Sequence, residues 1–132
     1  MPALSDHARS LFSRPILGWA TAVRPDGTPH NSVVWLDVED DDTVVFNTAI
    51  DRAKERYLRA NPKVSLSVSD PDQTFSWASV SGTATFTTED GDEVINRLSH
   101  KYDGKDFREL KEGERRVTVR VKVEHLVEQS AP

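Results

Sequence analysis

"NTAIDRAKERYLRANP", residues 47–62, decides how this chain is read. It closes a β-rich run and passes directly to residues 52–60, which lack β-branched side chains and read as a helix. Asp51 is placed to cap the first turn, and Asn61-Pro62 ends the helix, because a residue before proline is steered away from helical angles. Arg52, Lys54, Arg56 and Arg59 crowd into eight positions of a chain whose formal net charge is -5. Arg52 and Lys54 fall at the helix start, where cations are disfavoured by about 0.3–1 kcal/mol each. Two readings follow. The cluster is a solvated face, with Glu55 pairing Arg59 four residues on and Asp51 offsetting Arg52. Alternatively it is an anion site, in which bare N–H groups, a guanidinium and an ammonium cradle a phosphate beside the strand end Asn47, Thr48 and Ala49.

Working outward, "SDHARSLFSRP" predicts a short capped helix with Ala8, Leu11 and Phe12 on one side, stopped by Pro15. "ILGWATAV" and "HNSVVWLDV" are β-rich runs joined by the turn "RPDGTP"; "EDDD" is a further polar turn, and "TVVFNTA" a third strand. Short connections imply an antiparallel meander. After the quoted helix come "KVSLSVS", with strict alternation at Val64, Leu66 and Val68, and the long run "FSWASVSGTATFTT". Gly82 in its middle predicts a bulge or bend. "EDGDEVINRLSHKY" has helical spacing, and a polar, Gly-containing loop leads to "RRVTVRVKVEHL". There Val117, Val119, Val121 and Val123 share one face and Thr118, Arg120 and Lys122 the other. Six antiparallel strands, two or three short helices and a kinking glycine predict a mainly β chain, a small closed or partly closed barrel forming one domain over 1–132.

At 132 residues, 36% apolar and 30% charged, the composition is that of a soluble globular domain. No apolar run approaches the roughly 20 residues of a membrane span, and no signal-peptide core is present. The absence of cysteine excludes disulfides, thiolate zinc sites and thiol nucleophiles, and fits a cytoplasmic setting. The acidic balance argues against nucleic-acid binding. Four scattered histidines and the acidic "DVEDDD" lack metal-ligand spacing, and no GxGxxG, Walker-type or GxSxG motif occurs. Trp19, Trp35 and Trp77 lie within the β runs and read as core, as the wall of a planar-ligand site, or as a subunit interface.

The runs "DGTPHNSVVW", "TVVFNTAIDRAKERYLRANPKVSLSV" and "SWASVSGTATF" together resemble the pyridoxamine 5′-phosphate oxidase-like split β-barrels. Within them the chain is similar to the actinobacterial flavin/deazaflavin oxidoreductases that commonly use coenzyme F420. The resemblance covers residues 10–126; its most specific piece is "RAKxRxLRxNP", read at Arg52, Ala53, Lys54, Arg56, Leu58, Arg59, Asn61 and Pro62. It implies a six-stranded split β-barrel and a homodimer with two cofactor grooves at the subunit interface. It also implies that Arg52 and Lys54 hold the phosphate-bearing tail. The backbone of Ser32, Val33, Val34 and Trp35 and of Asn47, Thr48 and Ala49 would line the ring and ribityl chain. Phe75 and Trp77 would reach over from the partner chain. Relatives bind FMN, the deazaflavin or haem. Arg56 and Arg59, available to a polyglutamate tail, tilt the expectation to coenzyme F420, with FMN as the alternative. The expected function is hydride transfer between reduced deazaflavin and a small conjugated acceptor; the alternatives are an FMN-binding oxidoreductase or oxidase and a non-enzymatic cofactor carrier. No catalytic triad is expected, since such a cofactor carries the chemistry itself.

Overall fold

In the computed structural model, which describes residues 4–40 and 42–131, the alternating runs form seven strands rather than six. The order along the chain is α1 (Asp6–Ser13), β1 (Gly18–Val23), β2 (Pro29–Val34), β3 (Asp37–Glu39), β4 (Thr43–Ala49) and α2 (Ala53–Ala60). Then come β5 (Lys63–Ser69), β6 (Trp77–Thr87), α3 (Gly91–Asp103) and β7 (Arg116–Gln129). The extra strand arises because "HNSVVWLDV" breaks at Trp35-Leu36. One antiparallel sheet runs β2-β1-β5-β6-β7-β4-β3. The expected meander therefore stops after its first hairpin: β2 and β3 are opposite edges of the sheet, and two residues of chain join them. That covalent link holds the edges together and curls the sheet into a split barrel. The polar turn at 39–42 includes Asp41, which lies outside the described residues.

Leu36, fully buried, plugs the turn between the edges, and Gly18 makes room for it: a Cβ there would lie 2.3 Å from Leu36 Cδ1. Tyr102 of α3 locks the same turn, donating its hydroxyl to Ile16 O (2.7 Å) and accepting from Leu36 N (3.0 Å). Gly82 sits at a register shift between β6 and β7, and a Cβ on it would meet Lys122 O at 2.0 Å. Only glycine lets β7 approach this closely, and the bulge bends both strands around the core. Val119, Val121 and Val123 fill the barrel with Phe46, Leu66 and Val80, while Leu58 of α2 and Phe12 of α1 cover its ends. On the other side of β4, Val45 packs against Val94 and Leu98 of α3. Thr118 is thus as buried as its valine neighbours, because α3 covers the face that alternation marks as polar.

Candidate functional site

At the C-terminal end of β4 the backbone turns sharply into α2. Asp51 adopts a left-handed φ of 74° and does not cap the helix; Arg52 occupies the N-cap position, with no side-chain cap bond. The reach runs backward instead: buried Glu55 accepts from Asp51 N at 2.9 Å and from Arg59 Nε at 2.7 Å. Arg56 donates to Asp51 O, and the Arg59 guanidinium lies 4.1 Å from the Phe86 ring centroid. Neither Arg56 nor Arg59 lines the cleft at the helix start, so the cations expected to meet a ligand's tail are committed elsewhere.

Arg52 and Lys54 do line it, in a cleft of about 310 Å³ with Val33, Val34, Trp35, Asn47 and Thr48. Ser32 and Ala49, their strand neighbours, do not. Sequence reasoning missed the opposite wall: Phe107 and Arg108 from the α3–β7 loop, Arg116 from the start of β7, and Ile95 and Leu98 from α3. Arg116 is buried, donating Nε to Asn47 Oδ1 (2.9 Å) and Nη1 to Glu114 Oε2 (2.8 Å). Asn47 in turn donates to Gly91 O at 2.9 Å. Gly91 permits this seating, for a Cβ there would lie 2.2 Å from Arg116 O.

Glu114 is the one carboxylate facing these cations among the described residues. It accepts both Nη atoms of Arg108 (2.8 and 3.0 Å), Arg116 Nη1 and Lys111 N (2.8 Å), and stands 4.0 Å from Arg52 Nη2. The Arg108 bonds, then the Lys111 N–H and Arg116, hold its carboxyl far below the usual glutamate value despite burial. Burial draws the Arg116 guanidinium below the ordinary arginine value, with Glu114 opposing. Lys54 has no carboxylate partner among the described residues; its ammonium lies 5.6 Å from the Phe46 ring centroid. Burial first, then the charges of Arg52 and Arg116, bring its pKa down to about 8. Thr48, 2% exposed, has a buried hydroxyl without a hydrogen-bond partner. Four cations against one carboxylate, a bare helix start and an orphaned hydroxyl fit a phosphate-bearing ligand. Trp35, stacked on Tyr102 at 5.4 Å and edge-on to Phe107 at 6.4 Å, adds an aromatic wall.

Trp77 and Phe75 lie elsewhere in the chain. Trp77 borders a second, more apolar hollow of about 360 Å³ with Trp19 and Ser67; Leu17 borders both hollows. Phe75 is exposed in the turn before β6. The outer sheet face carries the row Val33, Trp19, Ser67, Ser79, Val127, aligned by strand register. Its three large members are 46%, 52% and 60% exposed. Among the described residues, no group of His, Asp or Glu is arranged to hold a metal ion and no helix is long and apolar enough to cross a membrane.

Residues 4–130 match the model of one protein family, pyridoxamine 5′-phosphate oxidase. No curated protein sequence matches the chain. Among solved structures, an F420 reductase superposes with a TM-score of 0.84 at 28% identity, covering 94% of this chain and 98% of that one. A conserved hypothetical protein, Rv2991 from Mycobacterium tuberculosis, gives 0.73 at 24% identity over 96% and 85%. HupZ of Group A Streptococcus gives 0.73 at 19% over 97% and 96%. The last two speak to the fold alone.

Proposed function

The chain belongs to the pyridoxamine 5′-phosphate oxidase family of flavin-type oxidoreductases, and from that premise we propose that it is an F420-dependent oxidoreductase acting on a small conjugated acceptor. The observation that carries this reading is the cleft's charge: four cations face one carboxylate in a chain of net charge -5. Arg52 and Lys54 would hold the phosphate at the start of α2, and the Thr48 hydroxyl would gain its missing partner from the ligand. Trp35 and Phe107 would flank a planar ring, with Val33, Ile95 and Leu98 excluding water. When bound, the deazaflavin supplies hydride transfer; the protein supplies position and a dry wall. The neighbouring F420 reductase structure supports the choice of cofactor.

A cleft of about 310 Å³ is at the small end for ligand sites, so a flavin-sized ligand would need further surface beyond it, and Leu17 borders both this cleft and the apolar hollow. We therefore place a second copy of the chain on the Trp19 face, in a homodimer whose Phe75 and Trp77 complete each groove. Titration of the purified protein with F420 and with FMN, followed by fluorescence quenching, tests the cofactor; oxidation of reduced F420 by a panel of enones tests turnover. FMN is the second reading, favoured because Arg52 and Lys54 alone suffice for one phosphate. Micromolar binding of F420 with turnover supports the proposal. Binding of FMN alone moves the assignment to an FMN oxidoreductase, and binding without turnover moves it to a carrier.

A further inference from the structure

Outside the cofactor cleft, which calls for no catalytic triad, the fold assembles a second constellation from three distant segments. Ser76 immediately precedes β6, His7 lies in the first turn of α1, and Glu128 is near the end of β7. His7 Nε2 stands 2.8 Å from Ser76 Oγ, and His7 Nδ1 stands 2.7 Å from Glu128 Oε1. The carboxylate fixes the direction of both bonds. Ser5, donating at 2.7 Å, and then His7 hold the Glu128 carboxyl below the usual value against burial, so it is ionised and only accepts. Nδ1 therefore carries the ring proton, and in the neutral imidazole Nε2 is left to accept from the Ser76 hydroxyl. A nucleophile, a base and an orienting carboxylate in this order activate a serine. Ser5 is not the nucleophile, because its oxygen donates to Glu128 and caps α1 by accepting from Ala8 N at 3.0 Å. Ser76 Oγ has no partner besides His7 among the described residues. Its backbone is pinned on both sides: Ser76 N donates to Gln73 O and Asp70 N donates to Ser76 O, each at 2.9 Å. We infer that Ser76 is a nucleophile that takes the acyl group of small uncharged carboxylic esters, with His7 as its general base and Glu128 as the positioning residue. Ser76 Oγ bonds to the acyl carbon as His7 Nε2 takes the hydroxyl proton; the ester C–O bond breaks and the alcohol leaves with that proton. Water, giving its proton to His7, then releases the acid and restores Ser76. Ionised Glu128 repels an anionic donor. Ser76 is 6% exposed against 24% and 27% for the side chains of His7 and Glu128, so the site opens on its imidazole side and favours a small acyl group. Because Ser76 N is engaged, the nucleophile's own amide is no oxyanion donor. An aryl ester, with its better leaving group, should therefore acylate Ser76 faster than the acyl-serine hydrolyses.

The test treats the full chain with p-nitrophenyl acetate, following nitrophenolate release, and with a fluorophosphonate, whose fluoride leaves as the Ser76 Oγ–P bond forms. Peptide mass spectrometry locates the label. Wild type should release a burst of about one nitrophenolate per chain and carry the phosphonyl group on Ser76. Urea-denatured wild type keeps Ser76 but not the constellation and should not label, a control that requires no variant to fold. Ser76→Ala should abolish the burst. His7→Gln should slow labelling by about 100-fold or more, the range for a lost general base. Glu128→Gln should slow it too, with partial rescue in Glu128→Asp, which restores the charge; a role in holding α1 alone would move the melting temperature and not the labelling rate. Labelling confined to other residues, none at all, or a rate at Ser76 indifferent to His7→Gln overturns the inference and leaves these bonds as a latch between α1 and the sheet.

Discussion

Lys54 is the point at which the cleft's electrostatics can be read directly, because its ammonium titrates within an accessible range. Its pKa lies near 8, chiefly through burial and then through repulsion by Arg52 and Arg116. A bound phosphate is already dianionic there, its second pKa being about 6, and arginine does not titrate. The pH dependence of binding between 7 and 10 therefore isolates one amine. The phosphate favours the charged amine by about 1.5–3 kcal/mol, the range for a charge-assisted hydrogen bond. Below pH 8 the amine is charged before binding and affinity is flat. Above it, binding must take up a proton, so affinity falls, approaching tenfold per pH unit, until about 10- to 150-fold is lost. Fluorescence quenching by FMN from pH 6.5 to 10 measures this, with Lys54→Arg as the non-titrating control. In the unliganded protein the sign is opposite. The folded pKa lies below the ordinary 10.5, so the buried charge opposes folding below pH 8, and stability should rise between pH 8 and 10.5 relative to Lys54→Met. An affinity flat across pH 8–10, or an equal decline in Lys54→Arg, would refute the assignment of Lys54 to the phosphate.

Three further outcomes can be measured without the cofactor. Gly82→Ala places a Cβ 2.0 Å from Lys122 O and should lower stability by about 1–3 kcal/mol in chemical denaturation; an unchanged midpoint would remove the glycine from the argument for curvature. Glu128 accepts from Ser5 (2.7 Å) and contacts His7 (2.7 Å), and these bonds, Ser5's first, hold its carboxyl below the usual value against burial. Its contribution should be present above the unfolded glutamate value and lost as pH falls through the lower folded one, so the stabilities of wild type and Glu128→Gln should converge as the medium is acidified. Sedimentation should find a dimer burying more than about 2,000 Å² in total, and Trp19→Glu on the outer face should dissociate it; a wild-type monomer at micromolar concentration defeats the shared groove.

What the sequence discloses here depends on how far apart the cooperating residues lie. The α2 helix, the Gly82 bulge and the valine face of β7 each declare themselves within a dozen residues, because backbone preference and alternation are local. "HNSVVWLDV" reads as one strand for the same reason: nothing local marks Trp35-Leu36 as the crossing from one sheet edge to the other, a break imposed by closure. Strand order is hidden likewise, since β4 pairs with β7 across most of the chain. The site divides along this line. Arg52 and Lys54 are visible as a density of charge, whereas Arg108 and Arg116 read as ordinary loop and strand polarity until α3 covers β7 and the loop folds back. Even the first guess about compensation is local and incomplete. Glu55 does pair with Arg59, but the carboxylate nearest Arg52 is Glu114, on the loop before β7, and not Asp51. A positive helix start in an acidic chain is therefore not balanced within its own helix. Three segments distant in sequence converge there with more positive charge than Glu114 can neutralise, and that surplus, invisible in any one segment, is the physical case for an anionic ligand.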